Sequence, residues 1–153
     1  MNASQATRGT DEPGFTLVEL MVVVLIIGIL IAIALPTLAG ARQRAADRAA
    51  QADLRSALAA GVSFFAGSGT YTNFDTSAKT FEPGLNWRAD GNPPDYGQIE
   101  IQVASGPNLL LIGKSKSDWY FCVSQTATSP LTDRGKSLDF TQIDTIPECT
   151  GGW

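Results

Sequence analysis

Apolar residues follow three different patterns along the 153-residue chain, and each pattern predicts a different element. From Leu20 to Leu35 every residue except Gly28 is apolar. Counted from Phe15, the run has roughly twenty residues, enough for a helix that crosses a bilayer core about 30 Å thick. Because this helix is apolar on all sides, it needs lipid or protein around its whole circumference.

The second pattern is amphipathic and extends from Ala39 to about Ala66, where Ala, Arg, Gln and Leu favour helix. Helical spacing places small residues on one face and larger apolar residues on another. The small residues are Ala41, Ala45, Ala49 and Ala52, and the larger ones are Leu54, Leu58, Val62 and Phe65. We expect the larger face to pack on the protein's own sheet. The alanines either pack on other helices or simply favour helix.

The third pattern is the period-two alternation of half-buried strands, at residues 98–103, 109–114 and 119–125. Short turns between them predict an antiparallel meander, with one face covered by the amphipathic helix and the other exposed. Residues 70–97 show no clear period and predict a long loop. Its aromatic residues are either an adhesive patch or, more commonly, buried anchors. They are Tyr71, Phe74, Phe81, Trp87 and Tyr96.

Composition argues against an enzyme. The chain contains no histidine, two cysteines and a formal net charge of −4. Without histidine it lacks the most common general base and metal ligand, and no nucleophile or phosphate-binding motif is present. We predict no catalytic site, cofactor or metal, although Asp133, Asp139 and Asp144 leave a weak calcium option. The mild acidity gives no electrostatic footprint for direct binding of nucleic acid.

One carboxylate, Glu19, stands at the head of the apolar run, where insertion scales assign it a cost of about 2.5–3.5 kcal/mol. The run alone is also consistent with a cleaved secretory signal, or with an ordinary single-pass anchor in which Glu19 snorkels to the interface without a partner. The order Gly14-Phe15-Thr16-Leu17-Val18-Glu19, followed by the apolar run to Pro36, resembles the processing and assembly motif of type IV pilins. The resemblance is strong to about Arg55 and only architectural beyond it.

The resemblance implies a role for individual residues. Prepilin peptidase would cut between Gly14 and Phe15, and the new Phe15 amine would be N-methylated. Glu19 would face the Phe15 amine of a neighbouring subunit during assembly. Gly28 and Pro36 would act as helix breakers, with a kink near the proline. Many pilins close a C-terminal loop with a disulfide, which here implies Cys122–Cys149, against the alternative of two reduced thiols.

The resulting prediction is an α+β pilin fold, with a long N-terminal helix packed on a small antiparallel sheet. Its segments are a cleaved leader at 1–14, a transmembrane and filament-core helix at 15–36, an amphipathic helix at 37–66 and a globular head at 67–153. The implied function is a structural subunit that polymerises into a type IV pilus, for motility, adhesion or DNA uptake. The alternatives are a pseudopilin of a type II secretion or competence system, or a membrane-anchored binding domain that never polymerises.

The implied partners are copies of the chain, prepilin peptidase, an assembly machine with a cytoplasmic ATPase, and the membrane before assembly. We expect a single-pass precursor in the cytoplasmic (inner) membrane with its head outside, and then a cell-surface pilus. Basic residues after the apolar run would favour the opposite orientation by charge count alone, but long domains translocate largely regardless of charge.

Overall fold

A computed structural model describes residues 14–127 and 132–153. Most of the predicted leader, residues 1–13, lies outside the described residues. The chain divides into two compact units, a first that ends at Ala39 and a second, Gly40–Trp153. Helix α1, Leu17–Ser68, contributes to both units and includes Pro36.

The end of α1 follows the predicted turn chemistry. Gly69 adopts a left-handed φ of +69°, and its N–H donates to the Phe65 carbonyl at 2.8 Å. Glycine is favoured there because it has no Cβ to oppose this conformation. The helix therefore ends two residues beyond the predicted boundary at Ala66.

The second unit contains a five-stranded sheet in the order β1-β2-β3-β4-β5. Its strands are Asn86–Arg88, Gln98–Ser105, Asn108–Lys114, Tyr120–Gln125 and Thr132–Ser137. All neighbouring pairs are antiparallel except β1 with β2, which is parallel. The predicted α+β fold, a long helix packed on a small antiparallel sheet, is confirmed, and so are its three predicted strands.

Small residues let α1 approach the sheet closely. Leu54 and Ala57 are fully buried against it. A Cβ at Gly61 would lie 2.6 Å from Cδ2 of Leu109 on β3. The predicted contact face is correct at Leu54, whereas Val62 remains 46% exposed. The buried face of α1 is therefore rotated from the predicted one toward Ala50, Ala57 and Gly61. Small residues lie against the sheet at positions where larger apolar residues were predicted.

The prediction that one sheet face would be exposed is wrong. Alternate residues of β3 and β4 point away from α1 and form a second buried cluster with the C-terminal segment. Two short 3-10 helices, Phe140–Gln142 and Ile146–Glu148, lie in this segment. The cluster consists of Leu110, Ile112, Cys122, Phe140, Ile143 and Cys149. The meander is thus covered on both faces.

The predicted loop at residues 70–97 is also wrong in part. It contains helix α2, Phe74–Phe81, and strand β1. Phe74 and Ala78 are fully buried, and the Phe74 ring lies 5.5 Å from that of Phe64 on α1. Tyr71 is buried as well, whereas Phe81 and Tyr96 remain partly exposed. These aromatics mainly anchor the segment to the core rather than forming one continuous surface patch.

Candidate functional site

The candidate assembly site lies at the start of α1. Gly14, Phe15 and Thr16 precede the first helical residue, Leu17. Glu19 occupies the first helical turn, which leaves it close in sequence to the proposed cut between Gly14 and Phe15. The Phe15 side chain is 84% exposed.

Thr16 and Glu19 form a reciprocal capping box. The Thr16 N–H and hydroxyl both donate to Glu19 Oε2, at 2.9 and 2.8 Å, and the Glu19 N–H donates to Thr16 Oγ1 at 3.2 Å. This arrangement satisfies N–H groups that the first turn of a helix leaves without partners. This capping box was not predicted, although Thr-x-x-Glu before an apolar run is its known signal. The carboxylate is thereby held at the helix start.

Glu19 is the one ionisable side chain between Gly14 and Ala41. Around it the apolar side chains of this part of α1 are exposed, from Leu17 to Leu38. Among the described residues, α1 is the one helix long and apolar enough to cross a membrane, by length and composition. The site is therefore a single carboxylate at one end of a helix whose apolar surface has no cover within the described chain.

The two predicted helix breakers both lie inside α1. A Cβ added at Gly28 would meet nothing within 4 Å among the described residues. Packing against the described residues therefore gives no reason for glycine at this position. Loosening of the helix at Gly28 and a kink at Pro36 stay predictions.

The alanine face of α1 is uncovered in the second unit. Ala41, Ala45, Ala49 and Ala52 are all exposed. A surface of small side chains allows close approach of another helix. Its proposed contact with neighbouring copies stays a prediction.

The C-terminal segment is attached to the sheet both covalently and by its last residue. Cys122 on β4 forms a disulfide with Cys149, as predicted. The Trp153 indole N–H donates to the Cys122 carbonyl at 2.9 Å. The Trp153 ring also lies 5.1 Å from the guanidinium carbons of Arg55 and Arg134. Sequence analysis gave Trp153 no role because its partners are distant in the chain.

Glu100 on β2 occupies a polar position of the alternating strand predicted at residues 98–103, yet it does not face solvent. It is fully buried, and its Oε1 accepts the Gly91 N–H at 2.7 Å, while Oε2 has no hydrogen-bond partner among the described residues. Burial raises the pKa of this carboxyl, although the Gly91 N–H opposes the shift. Its placement beside the loop of Gly91 suits a structural anchor.

No group of three or more His, Cys, Asp or Glu in the described ranges is arranged to hold a metal ion. Two of the acids considered for calcium, Asp139 and Asp144, lie in the C-terminal segment beyond β5. Burial and the nearby Glu148 and Asp139 carboxylates raise the pKa of Asp144. The described geometry therefore offers no support for the calcium option.

Comparison with known proteins bears on the N-terminal part of the chain. The prokaryotic N-terminal methylation motif matches residues 11–35. The chain is 44% identical over 61 residues to the type IV major pilin protein PilA of Myxococcus xanthus (strain DK1622), which covers 40% of this chain and 28% of that relative. The chain thus matches less than a third of the relative's length. No solved structure matches the chain.

Proposed function

We propose that this type IV pilin-like chain is the structural subunit of a type IV pilus. Prepilin peptidase cuts it between Gly14 and Phe15, and the chain then polymerises through the helix that follows. The observation that carries the proposal is Glu19, a single acid held at the start of an uncovered apolar helix, within a methylation motif that matches residues 11–35.

The pairing chemistry follows from the groups involved. An α-amino group has an ordinary pKa of about 8, so a freshly exposed Phe15 amine is largely cationic at neutral pH. An amine and a carboxylate that meet in a low dielectric offset each other's desolvation, whereas either one alone is costly. The contact therefore selects the register between neighbouring subunits more than it adds net affinity.

The capping box prepares Glu19 for this contact. Both hydrogen bonds from Thr16 go to Oε2, so Oε1 receives no hydrogen bond from the described residues. One carboxylate oxygen is thus fixed within the chain while the other remains able to accept a bond from the amine of a neighbour. Before assembly, the same cap satisfies one oxygen of the carboxylate in the membrane-anchored precursor.

The proposal extends to location and partners. The apolar helix anchors the precursor in the cytoplasmic membrane with the head outside, where a disulfide is stable. A prepilin peptidase and an assembly machine with a cytoplasmic ATPase then place the subunit in a surface filament.

Substitution of Glu19 tests the proposal. We expect Glu19→Ala to leave the protein in the membrane fraction and to abolish fibres in surface-sheared material viewed by electron microscopy. Asp75→Ala, which removes an exposed acid of α2, is the matched control and should leave fibres unchanged. Wild-type abundance of fibres from the Glu19 variant would refute the assigned role.

Intact mass and N-terminal sequencing of the protein from its host test the processing step. We expect the chain to begin at methylated Phe15 and to lack two hydrogens because of the disulfide. A chain that retains its first fourteen residues would contradict polymerisation and indicate a tethered domain. Processed protein that never forms long fibres would instead favour a pseudopilin.

A further inference from the structure

Two elements place positive charge along one side of the head. Arg44, Arg48 and Arg55 recur at helical spacing on α1 and are exposed. Arg134 and Lys136 on β5 are exposed as well, and they pair with Val123 and Phe121 of β4, whose side chains face α1. Because directly paired residues share a sheet face, both β5 cations lie on the α1 side of the sheet. These five cations are called the basic face below.

Trp153 joins the helix and strand parts of the basic face, and Trp119 contacts its strand part. Arg55 of α1 and Arg134 of β5 both lie against the Trp153 ring, and Lys136 Nζ lies 5.3 Å from the centre of the Trp119 ring. Such contacts hold cations in place without neutralising them. The ion pairs of the described residues, Arg88–Asp90 and Lys114–Asp118, involve none of the five. None of the five cations is therefore paired with a carboxylate of the described residues.

The opposite side of the same sheet is acidic. Asp133 on β5 pairs with Ser124 and so points away from α1, while its neighbour Arg134 points toward it. The segment that covers this side, residues 138–150, contains three acids and no basic residue. Asp139, Asp144 and Glu148 are the acids, and this segment packs on the sheet through Phe140 and Ile143. Asp133 and these three acids are called the acidic face.

We propose that the basic face of one head contacts the acidic face of the next copy of this chain. The inference rests on the proposed filament and names the surface through which its heads meet. The two faces lie on opposite sides of one sheet and carry opposite charge, so each copy presents both halves of the contact. A contact between two different faces is heterologous, and repetition of it generates an open helical array rather than a closed dimer.

Charge complementarity favours a second copy over a nucleic acid as the occupant. The chain as a whole has a net charge of −4, and the acidic face would repel a polyanion that wrapped beyond the basic face. The Trp153 ring is also occupied by two guanidinium groups and by the edge of Phe121, so it is not free to stack on bases. A second head satisfies both faces at once.

Charge reversal in the full-length chain, expressed in its host, tests the contact. Arg134→Glu with Lys136→Glu should lower the recovery of sheared fibres by about tenfold or more, since like charges placed opposite each other are strongly unfavourable. Asp144→Lys with Glu148→Lys should do the same. All four substitutions in one chain should recover part of the fibres that either pair alone removes, because the reversed charges on the two faces are again opposite in sign.

Arg44→Glu with Arg48→Glu is the second basic-face variant, since neither side chain contacts a tryptophan in the structure and the head should fold normally. Lys79→Glu with Lys116→Glu is the matched control, with the same change in charge at exposed positions outside both faces. Tryptophan fluorescence and intact mass establish that each head is folded and its disulfide intact. We expect wild-type fibres to weaken between 20 and 500 mM salt, because salt screens exposed charges.

The outcomes separate this inference from the filament proposal. Absence of fibres from the wild-type chain refutes the proposed filament and this contact with it. Fibres from the wild type that are equally abundant in every charge-reversed variant overturn this inference alone. Normal fibres that lose only their retention of DNA would show that the basic face binds a polyanion, and this too would overturn the head-to-head contact.

Discussion

Removal of the Cys122–Cys149 disulfide is expected to cost the head a large part of its stability. The two cysteines are 27 residues apart in sequence, and the loop between them contains β5 and both 3-10 helices. In the chain-entropy model, a closed loop of this length stabilises the folded state by about 3.5 kcal/mol at 25 °C. Few single contacts in a domain of this size contribute as much.

Non-covalent contacts should keep the segment in place after the disulfide is removed. Trp153 donates a hydrogen bond to Cys122, and the Gly152 N–H donates to the Arg134 carbonyl at 2.8 Å. Each such bond contributes about 1 kcal/mol net. Phe140 and Ile143 remain buried on the sheet. We therefore expect Cys122→Ala with Cys149→Ala to lower the stability of the head while its fold is retained.

Urea unfolding of the full-length chain in detergent micelles, followed by tryptophan fluorescence, measures this loss. For a domain of this size, an m-value of about 1–1.5 kcal/mol/M converts 3.5 kcal/mol into a midpoint lowered by about 2–3.5 M. Wild-type protein treated with a reductant should show the same shift, since reduction opens the same loop. A change in midpoint below about 0.5 M would refute the loop-entropy reasoning and assign the order of the segment to packing alone.

Two further substitutions test the core and its buried acid. Gly61→Ala should destabilise the head by about 1–3 kcal/mol relative to Gly67→Ala in the same urea assay, because a Cβ at Gly61 would overlap Leu109 whereas one at Gly67 meets nothing; equal stabilities would contradict the close approach of α1 to β3. Burial raises the pKa of Glu100, so the folded head favours the protonated carboxyl. The contribution of this group to the free energy of unfolding is therefore complete below its ordinary pKa, and it is lost as pH rises through the pKa in the folded state. Glu100→Gln should therefore become more stable relative to the wild type between pH 4 and pH 8, and parallel stability curves would rule this out.

Local pattern was sufficient for the elements whose residues face a single environment. The alternation at residues 98–103 and the apolar spacing of α1 predicted elements that the structure contains. Strand β5 was missed because its residues, Thr132–Ser137, are polar and form a strand through pairing with β4 rather than through propensity. Helix α2 was missed because turn-forming residues around it obscured Phe74 and Ala78, which are four residues apart and share its buried face.

Contacts between distant residues account for what pattern could not predict. The second buried cluster brings Ile112 and Ile143 together, and nothing in either local sequence indicates the other. Glu100 is one of the polar positions of an alternating strand, which would normally face solvent, yet the loop of Gly91 covers it. At the assembly site, the acid and its position before the apolar run were recognisable from sequence. The hydrogen bonds that Thr16 and Glu19 exchange in the cap were seen only in the structure.

One helix contains two kinds of apolar surface, and the difference between them bears on assembly. Leu54 and Ala57 are covered by the chain's own sheet, so their burial stabilises a single head. The large apolar side chains from Leu17 to Leu38 have no such cover in the described chain, and each gains about 1.5–3 kcal/mol when removed from water. Summed over this segment, exposure of these side chains to water would cost tens of kcal/mol. In the proposed filament, the segment exchanges lipid directly for other copies of itself. Since lipid and protein are similarly apolar, the proposal assigns to Glu19 the distinction between the two surroundings.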